Sequence, residues 1–233
     1  MEVLSFFVGG VLPYIAIVVF IAGMTYRFWI WIKTPQPAKM TLFPAADSTF
    51  RGVLAEVLFF PSLFRGDRLL WGFAWFFHAT LALVFLGHLR VFTPVLDHIL
   101  IAAGMTAGGL DRMSGTIGGA AGILLLATGI LLVVRRTMVP RVRSISRASD
   151  FLAPLLLIAV ISSGDVMRFG GHFDLGATRT WAASLAAFNP VVPSDMRFTV
   201  HALLAMVLVM YIPFSKILHF GGIFFTQALI KRS

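Results

Sequence analysis

Apolar residues in this chain do not alternate with polar ones at the spacing of an amphipathic helix or strand; they run together in long blocks. Phe6–Thr25, Leu69–Leu89 and Ser114–Val134 carry no acidic or basic side chain except histidine. Phe151–Phe169 is apolar apart from Asp165 and Arg168 near its far end. Phe198–Ser215 is uncharged and extends as an expected helix through Lys216 to His219. At 1.5 Å of rise per residue each block reaches about 27–32 Å, the hydrocarbon thickness of a bilayer. The pattern predicts an all-α integral membrane protein with five transmembrane helices, at about 6–32, 69–92, 114–134, 150–169 and 197–219, in a single domain over 1–233. The first block has no basic stretch before it and no evident small-residue cleavage site after it. It therefore reads as a retained helix rather than a removed signal.

The segments between the blocks differ in charge. The first connection holds Lys33, Lys39, Arg51, Arg65 and Arg68, and the third holds Arg135, Arg136, Arg141, Arg143 and Arg147. The tail adds Lys231 and Arg232, whereas connections of the other parity carry Arg112, Arg179 and a few helix-end arginines. Basic residues stay on the cytoplasmic side, so the N-terminus is expected outside and the C-terminus in the cytoplasm. Within the first inner connection, Gly52–Arg68 is too short and interrupted to span and reads as an amphipathic segment on the inner surface. There are no internal repeats.

Composition narrows the chemistry. Charged residues make up 12% of the chain, about half the usual share of a soluble domain. The net charge of +9 belongs to the inner loops, so it speaks for topology and not for nucleic acid. The chain has no cysteine, which excludes disulfides, iron–sulfur ligation, thiolate zinc sites and covalent c-type haem on this chain.

Six histidines remain as candidate ligands. His98 and His172 fall in outer loops and read as ordinary polar residues. His78 and His88 lie on the second block, His201 and His219 on the fifth. A lone imidazole in a span is usually a packed polar group bonded to a carbonyl, but two pairs on two antiparallel helices ask for a further partner. Helical rise separates His78 from His88 by about 15 Å and His201 from His219 by about 27 Å. Pairing His88 with His201 and His78 with His219 leaves a depth mismatch of about 12 Å, partly absorbed by tilt and a bend at Pro213; the crossed pairing leaves about 42 Å. Only the nested pairing is feasible. Facing imidazoles across an apolar bundle suit bis-imidazole haem b, with Arg90, Arg112 and Arg197 at the outer level and Arg135, Arg136 and Lys216 at the inner level as propionate partners. Spacing alone leaves open two haems, one haem, or histidines that are only structural.

The strings "FHATLALVFLGH" followed by "TP", "RRTMVPRVRS" with an aspartate soon after, and "RFTVHALLAMVLVMYIPFSKILH" resemble the cytochrome b (gamma) subunit of respiratory nitrate reductase. The likeness covers nearly the whole chain. Its most specific parts are the two histidine spacings and the "PFS" turn. It implies two haems b, the outer on His88 and His201 and the inner on His78 and His219, and exchange of electrons with a quinol, menaquinol foremost. One feature departs from that subunit: the first inner loop is longer, with "LAEVLFFPSLFRGDRLLWGF" ahead of His78. This is more similar to DsrM, the M subunit of the dissimilatory sulfite-reduction-associated complex, and to the haem subunit of membrane heterodisulfide reductase.

The resemblance implies an electron-transfer subunit of a quinone/quinol oxidoreductase complex, with no other catalytic site of its own. It would sit in the lipid of a bacterial or archaeal cytoplasmic membrane and serve a cytoplasmic iron–sulfur subunit, with further subunits in the complex. DsrM-like sulfur metabolism is the first expectation and a nitrate reductase gamma role the second. A haem-free scaffold or transporter is the competing class, although no symmetric pair of broken helices supports it. For the quinone, Gly87, His88 and Arg112 are the candidates: a missing side chain beside a ligand lets a flat ring approach, and an arginine can donate to a carbonyl. "SGTIGGAAG" (Ser114–Gly122) reads first as a close-packing stripe, with room for a haem edge or quinone ring as the alternative.

Overall fold

The computed structural model describes residues 2–34, 50–171, 174–219 and 221; Lys39, His172, Lys231 and Arg232 lie outside them. Among the described residues every regular element is helical. Five helices are long and apolar enough to cross a membrane: Glu2–Lys33, Arg68–Phe92, Ala107–Met138, Ser149–Phe169 and Met196–Phe214. The protein is an all-helical, multi-pass membrane protein.

The expected blocks lie inside these spans, but two ends differ. The third span begins at Ala107, where the Thr106 hydroxyl accepts from the Gly109 N–H at 3.1 Å, and continues through Arg135 and Arg136 to Met138. An apolar block marks the part in hydrocarbon, and the helix need not stop where charge begins. It stops before Pro140, whose ring disfavours helical backbone at Val139. The fifth span corrects the expectation of one helix through His219. Regular α-helix ends at Tyr211, a 3₁₀ turn covers Ile212–Phe214, Ser215 is extended, and a second 3₁₀ turn covers Lys216–Leu218. Pro213 has no N–H to continue the ladder, and the Ser215 hydroxyl accepts from the Ile217 N–H at 3.2 Å to start the next turn. A single helical rise therefore does not describe the depth between His201 and His219.

The spans pack as neighbours in the order second, third, fourth, fifth, first. The second and fifth are not among the closely packed pairs, and the space between them is bridged by side chains. Small residues set the closest approaches. A Cβ on Gly118 or Gly119 would press on Arg168 or Phe169, and one on Gly122 would meet the Asp165 carboxylate. The Ser114–Gly122 stripe is thus filled by side chains of the fourth span, as the packing reading expected. Gly23 of the first span plays the same part against Pro213, whose Cβ would lie 2.7 Å from an added methyl.

Shorter helices close the two ends. At the end carrying His88 and His201, the helices Val95–Ala102 and Leu175–Ala186 cover the bundle. Trp181, Phe198, Ala202 and Val8 form a buried cluster there. The Trp181 indole donates to the Gly9 carbonyl at 2.7 Å, a carbonyl that lies within the π-helical turn Phe7–Val11 of the first span. At the other end, Gly52–Arg68 is two short helices, Phe50–Phe59 and Pro61–Gly66, joined at Phe60 in a left-handed conformation (φ 50°). The indoles of Trp71 and Trp75 hold this pair by donating to the carbonyls of Phe59 (2.7 Å) and Leu58 (3.0 Å).

Candidate functional site

The four histidines of the spans meet in two pairs. His88 and His201 have ring centres 6.2 Å apart and planes 26° from parallel; His78 and His219 have ring centres 6.0 Å apart and planes nearly perpendicular, at 89°. Two imidazoles on opposite sides of one metal, with bonds of about 2 Å and about 1.1 Å from nitrogen to ring centre, would place their centres about 6 Å apart. The crossed pairs do not form.

Each Nδ1 already has a partner. His78 donates to the Ala74 carbonyl at 2.7 Å, His88 to the Val84 carbonyl at 2.8 Å and His219 to the Lys216 carbonyl at 3.0 Å. Carbonyl oxygen only accepts, so the proton sits on Nδ1 in each case. His201 reaches the Ser163 hydroxyl at 2.9 Å, and that hydroxyl donates its own proton to the Val160 carbonyl at 2.8 Å. With the hydroxyl proton directed to that carbonyl, Nδ1 of His201 is the donor as well. With Nδ1 as the donor, the neutral ring offers Nε2 as its lone pair, the tautomer a metal-binding imidazole needs, oriented by its second nitrogen.

The donor set also limits the ligand. Among the described residues no group of three or more His, Cys, Asp or Glu side chains comes together. A bare metal ion needing three or four protein ligands is not provided for, whereas an iron that brings four porphyrin nitrogens needs two imidazoles. The immediate surroundings suit a flat apolar group. Phe60 and Phe77 stand edge-on to His78 at 5.3 and 5.4 Å, and at Gly164 an added Cβ would lie 3.2 Å from the His201 ring.

Of the six basic residues expected to meet propionates, five hold carboxylates here. Arg90 is enclosed, binding Asp97 at 2.6 Å and Asp111 at 3.4 Å, and Arg179 completes the cluster on Asp97 at 2.6 Å. The Arg90 guanidinium, ahead of the cost of burial, holds the Asp97 carboxyl below its ordinary pKa. Arg197 binds Asp195 at 2.9 Å. At the other end Arg135 binds Asp67 at 2.6 Å, while Arg136 (3.7 Å) and Lys216 share Asp150. Arg112 is exposed and makes no such pair among the described residues. Gly87 is exposed beside His88, with no atom within 4 Å of an added Cβ.

Several residues of the site were not visible in the sequence pattern. Ser163 and Gly164 read only as small residues of the fourth block, although a hydroxyl at the depth of His201 was a usable signal. Asp165 stood out only as a charge near a helix end. In the fold its Oδ2 is buried with no hydrogen-bond partner, and Arg168 beside it donates to the carbonyls of Ser114 and Gly115 (the latter at 3.1 Å).

A helical membrane bundle with two facing pairs of imidazoles, one near-parallel and one near-perpendicular, is the architecture of a cytochrome b-like electron-transport subunit. Residues 61–230 match the family described as nitrate reductase gamma subunit, and the chain belongs to that family. It is 30% identical to the Hdr-like menaquinol oxidoreductase cytochrome b-like subunit of Archaeoglobus fulgidus, over 94% of this chain and 77% of the relative. The subunit of the same name from Archaeoglobus profundus is 29% identical over 92% and 76%. The respiratory nitrate reductase 1 gamma chain of Escherichia coli is 25% identical over 96% of this chain and 93% of its own length.

Proposed function

We propose that the protein is a dihaem cytochrome b subunit, one domain over 1–233, that carries electrons between the quinone pool and a cytoplasmic iron–sulfur partner. The observation that carries this reading is the pairing of four imidazoles at 6.0 and 6.2 Å with every Nδ1 already bonded. His88 and His201 would hold one haem b, and His78 and His219 the other. When bound, the two haems supply one-electron couples at two depths of the bilayer.

The chain's own residues do the rest. Backbone carbonyls and Ser163 hold the imidazoles in orientation through Nδ1, and Phe60 and Phe77 pack against His78. The basic connections support an orientation with the N-terminus outside in a bacterial or archaeal cytoplasmic membrane. In that orientation the His88/His201 pair is the outer one. Gly87, His88 and Arg112 are the candidate quinone contacts there, menaquinone being favoured by the likeness to a menaquinol oxidoreductase subunit. Oxidation of quinol at that end would release protons outside while electrons move inward. Arg112, lacking a carboxylate, is also the basic residue best placed for a propionate at that end.

The two helices within 52–68 and the arginines of the inner loops, Arg65, Arg68, Arg135, Arg136, Arg141 and Arg143, form the surface on which the iron–sulfur subunit would dock. The likeness to the two Archaeoglobus subunits favours an Hdr-like complex over a nitrate reductase, and the long first inner loop is what suggests a DsrM-like role in sulfur metabolism. A reduced-minus-oxidised absorption spectrum of the purified protein tests the reading: two b-type haems per chain are expected. A chain that binds none would be a scaffold or transporter.

A further inference from the structure

Beside His219 lies a cavity of about 530 Å³ lined by Arg27, Trp31, Ser149, Tyr211, Phe214, Ser215, Lys216, Leu218 and His219. Two cations face it, and they differ in state. Lys216 is exposed and paired with Asp150. Arg27, projecting from the first span, has its Nε buried with no hydrogen-bond partner among the described residues.

A guanidinium is charged at every accessible pH, so a buried, unanswered N–H of this kind costs free energy unless an anion meets it. A long basic side chain near a helix end ordinarily extends to the headgroups and stays hydrated; Arg27 instead turns its Nε into the protein. Among the described residues the carboxylates of this end are committed elsewhere, Asp67 to Arg135, Asp150 to Arg136 and Lys216, and Glu56 to the Ser62 hydroxyl. The described carboxylates leave Arg27 open to an oxyanion brought by a ligand. An oxyanion on an apolar molecule fits both the buried cation and the aromatic walls, and the His219 ring lining the same cavity says which molecule is within reach.

We propose that Arg27 binds a carboxylate of the group held between His78 and His219 and thereby raises that group's reduction potential. This rests on the dihaem reading. It makes the first span, which contributes no histidine, part of the inner redox site. A guanidinium beside the carboxylate cancels a negative charge that would otherwise oppose reduction.

The test is a redox titration of both haems in the full-length protein in its membrane, for wild type, Arg27→Gln and Arg27→Lys. The haem that disappears in His219→Ala identifies the inner couple. Arg27→Gln should shift the inner haem's reduction equilibrium about tenfold toward the oxidised form, about 59 mV for a one-electron couple. The outer haem should be unmoved, and Arg27→Lys should stay near wild type. Loss of the inner haem from Arg27→Gln but not from Arg27→Lys also supports the inference; equal loss from both counts against it. Unchanged potentials, or a shift of the outer haem, would overturn it. So would unchanged potentials together with loss of a copurifying anionic phospholipid in Arg27→Gln, which would make the oxyanion a lipid phosphate. Absence of haem from the wild type would instead remove the reading beneath it.

Discussion

The imidazoles of His88 and His201 lie 6.2 Å apart, centre to centre, although the second and fifth spans that carry them are not among the closely packed helices of the bundle. Helices that pack on each other bury their side chains in each other's grooves. These two instead leave an interval that the histidines cross from both sides. Such an arrangement is stable only if something other than a neighbouring helix satisfies the two Nε2 atoms.

The pairing has a direct consequence for single substitutions. His78→Ala and His219→Ala should each remove the same haem signal, and His88→Ala and His201→Ala should each remove the other. The measurement is the difference spectrum of each variant in membranes. If His78→Ala and His201→Ala abolished one signal in common and spared the second, the nested assignment would be wrong.

Packing at the far end should matter to one site and not the other. Gly23 lies against Pro213, with no room for a further methyl, and Pro213 begins the turns that deliver His219. Gly23→Leu should displace those turns and weaken or remove the inner haem while the outer one persists. Overpacking of this kind costs about 1–3 kcal/mol. Equal occupancy of both haems in this variant would show that the first span does not position His219.

The ion cluster at the end carrying His88 and His201 gives a pH dependence with a definite sign. Arg90 holds the Asp97 carboxyl below its unfolded value, so this stabilisation is fully present above the unfolded pKa of about 3.9 and fades as pH falls through the lower folded one. Asp97→Asn leaves Arg90 and Arg179 without their shared carboxylate and should cost on the order of 3 kcal/mol near neutral pH. Thermal unfolding at pH 7 should show the loss, and the gap to wild type should narrow below about pH 4. A constant gap across that range would mean that Asp97 is not the responsible group.

Gly87 offers a clean test of the quinone candidates, because no described residue beyond its own helical turn comes within 4 Å of an added Cβ. Gly87→Leu or Arg112→Ala should slow haem reduction by a menaquinol analogue with both haem spectra intact. Unaltered kinetics in both variants would move the quinone site away from the outer end, with the inner haem the next place to look.

Much of this protein is legible in one dimension. Burying uncharged helix in hydrocarbon requires about 20 apolar residues in a row, so five blocks announce five spans. The order of the histidines along two antiparallel spans then ranks them by depth, which is why the nested pairing could be derived before any helix was packed, although the rise between His201 and His219 is not that of one helix. Rise says nothing about azimuth or neighbours. That Ser163 supports His201, that Arg90 spends its charge on Asp97 and Asp111, and that Arg27 points into the cavity beside His219 depend on which helix faces meet. Those faces are selected by small residues such as Gly23, Gly119 and Gly122, whose effect lies in the side chain they lack. The break at Ser215 is of the same kind. Pro213 announced a bend, but only its seat against Gly23 and the Ser215 cap turned that bend into two 3₁₀ turns that bring His219 to His78.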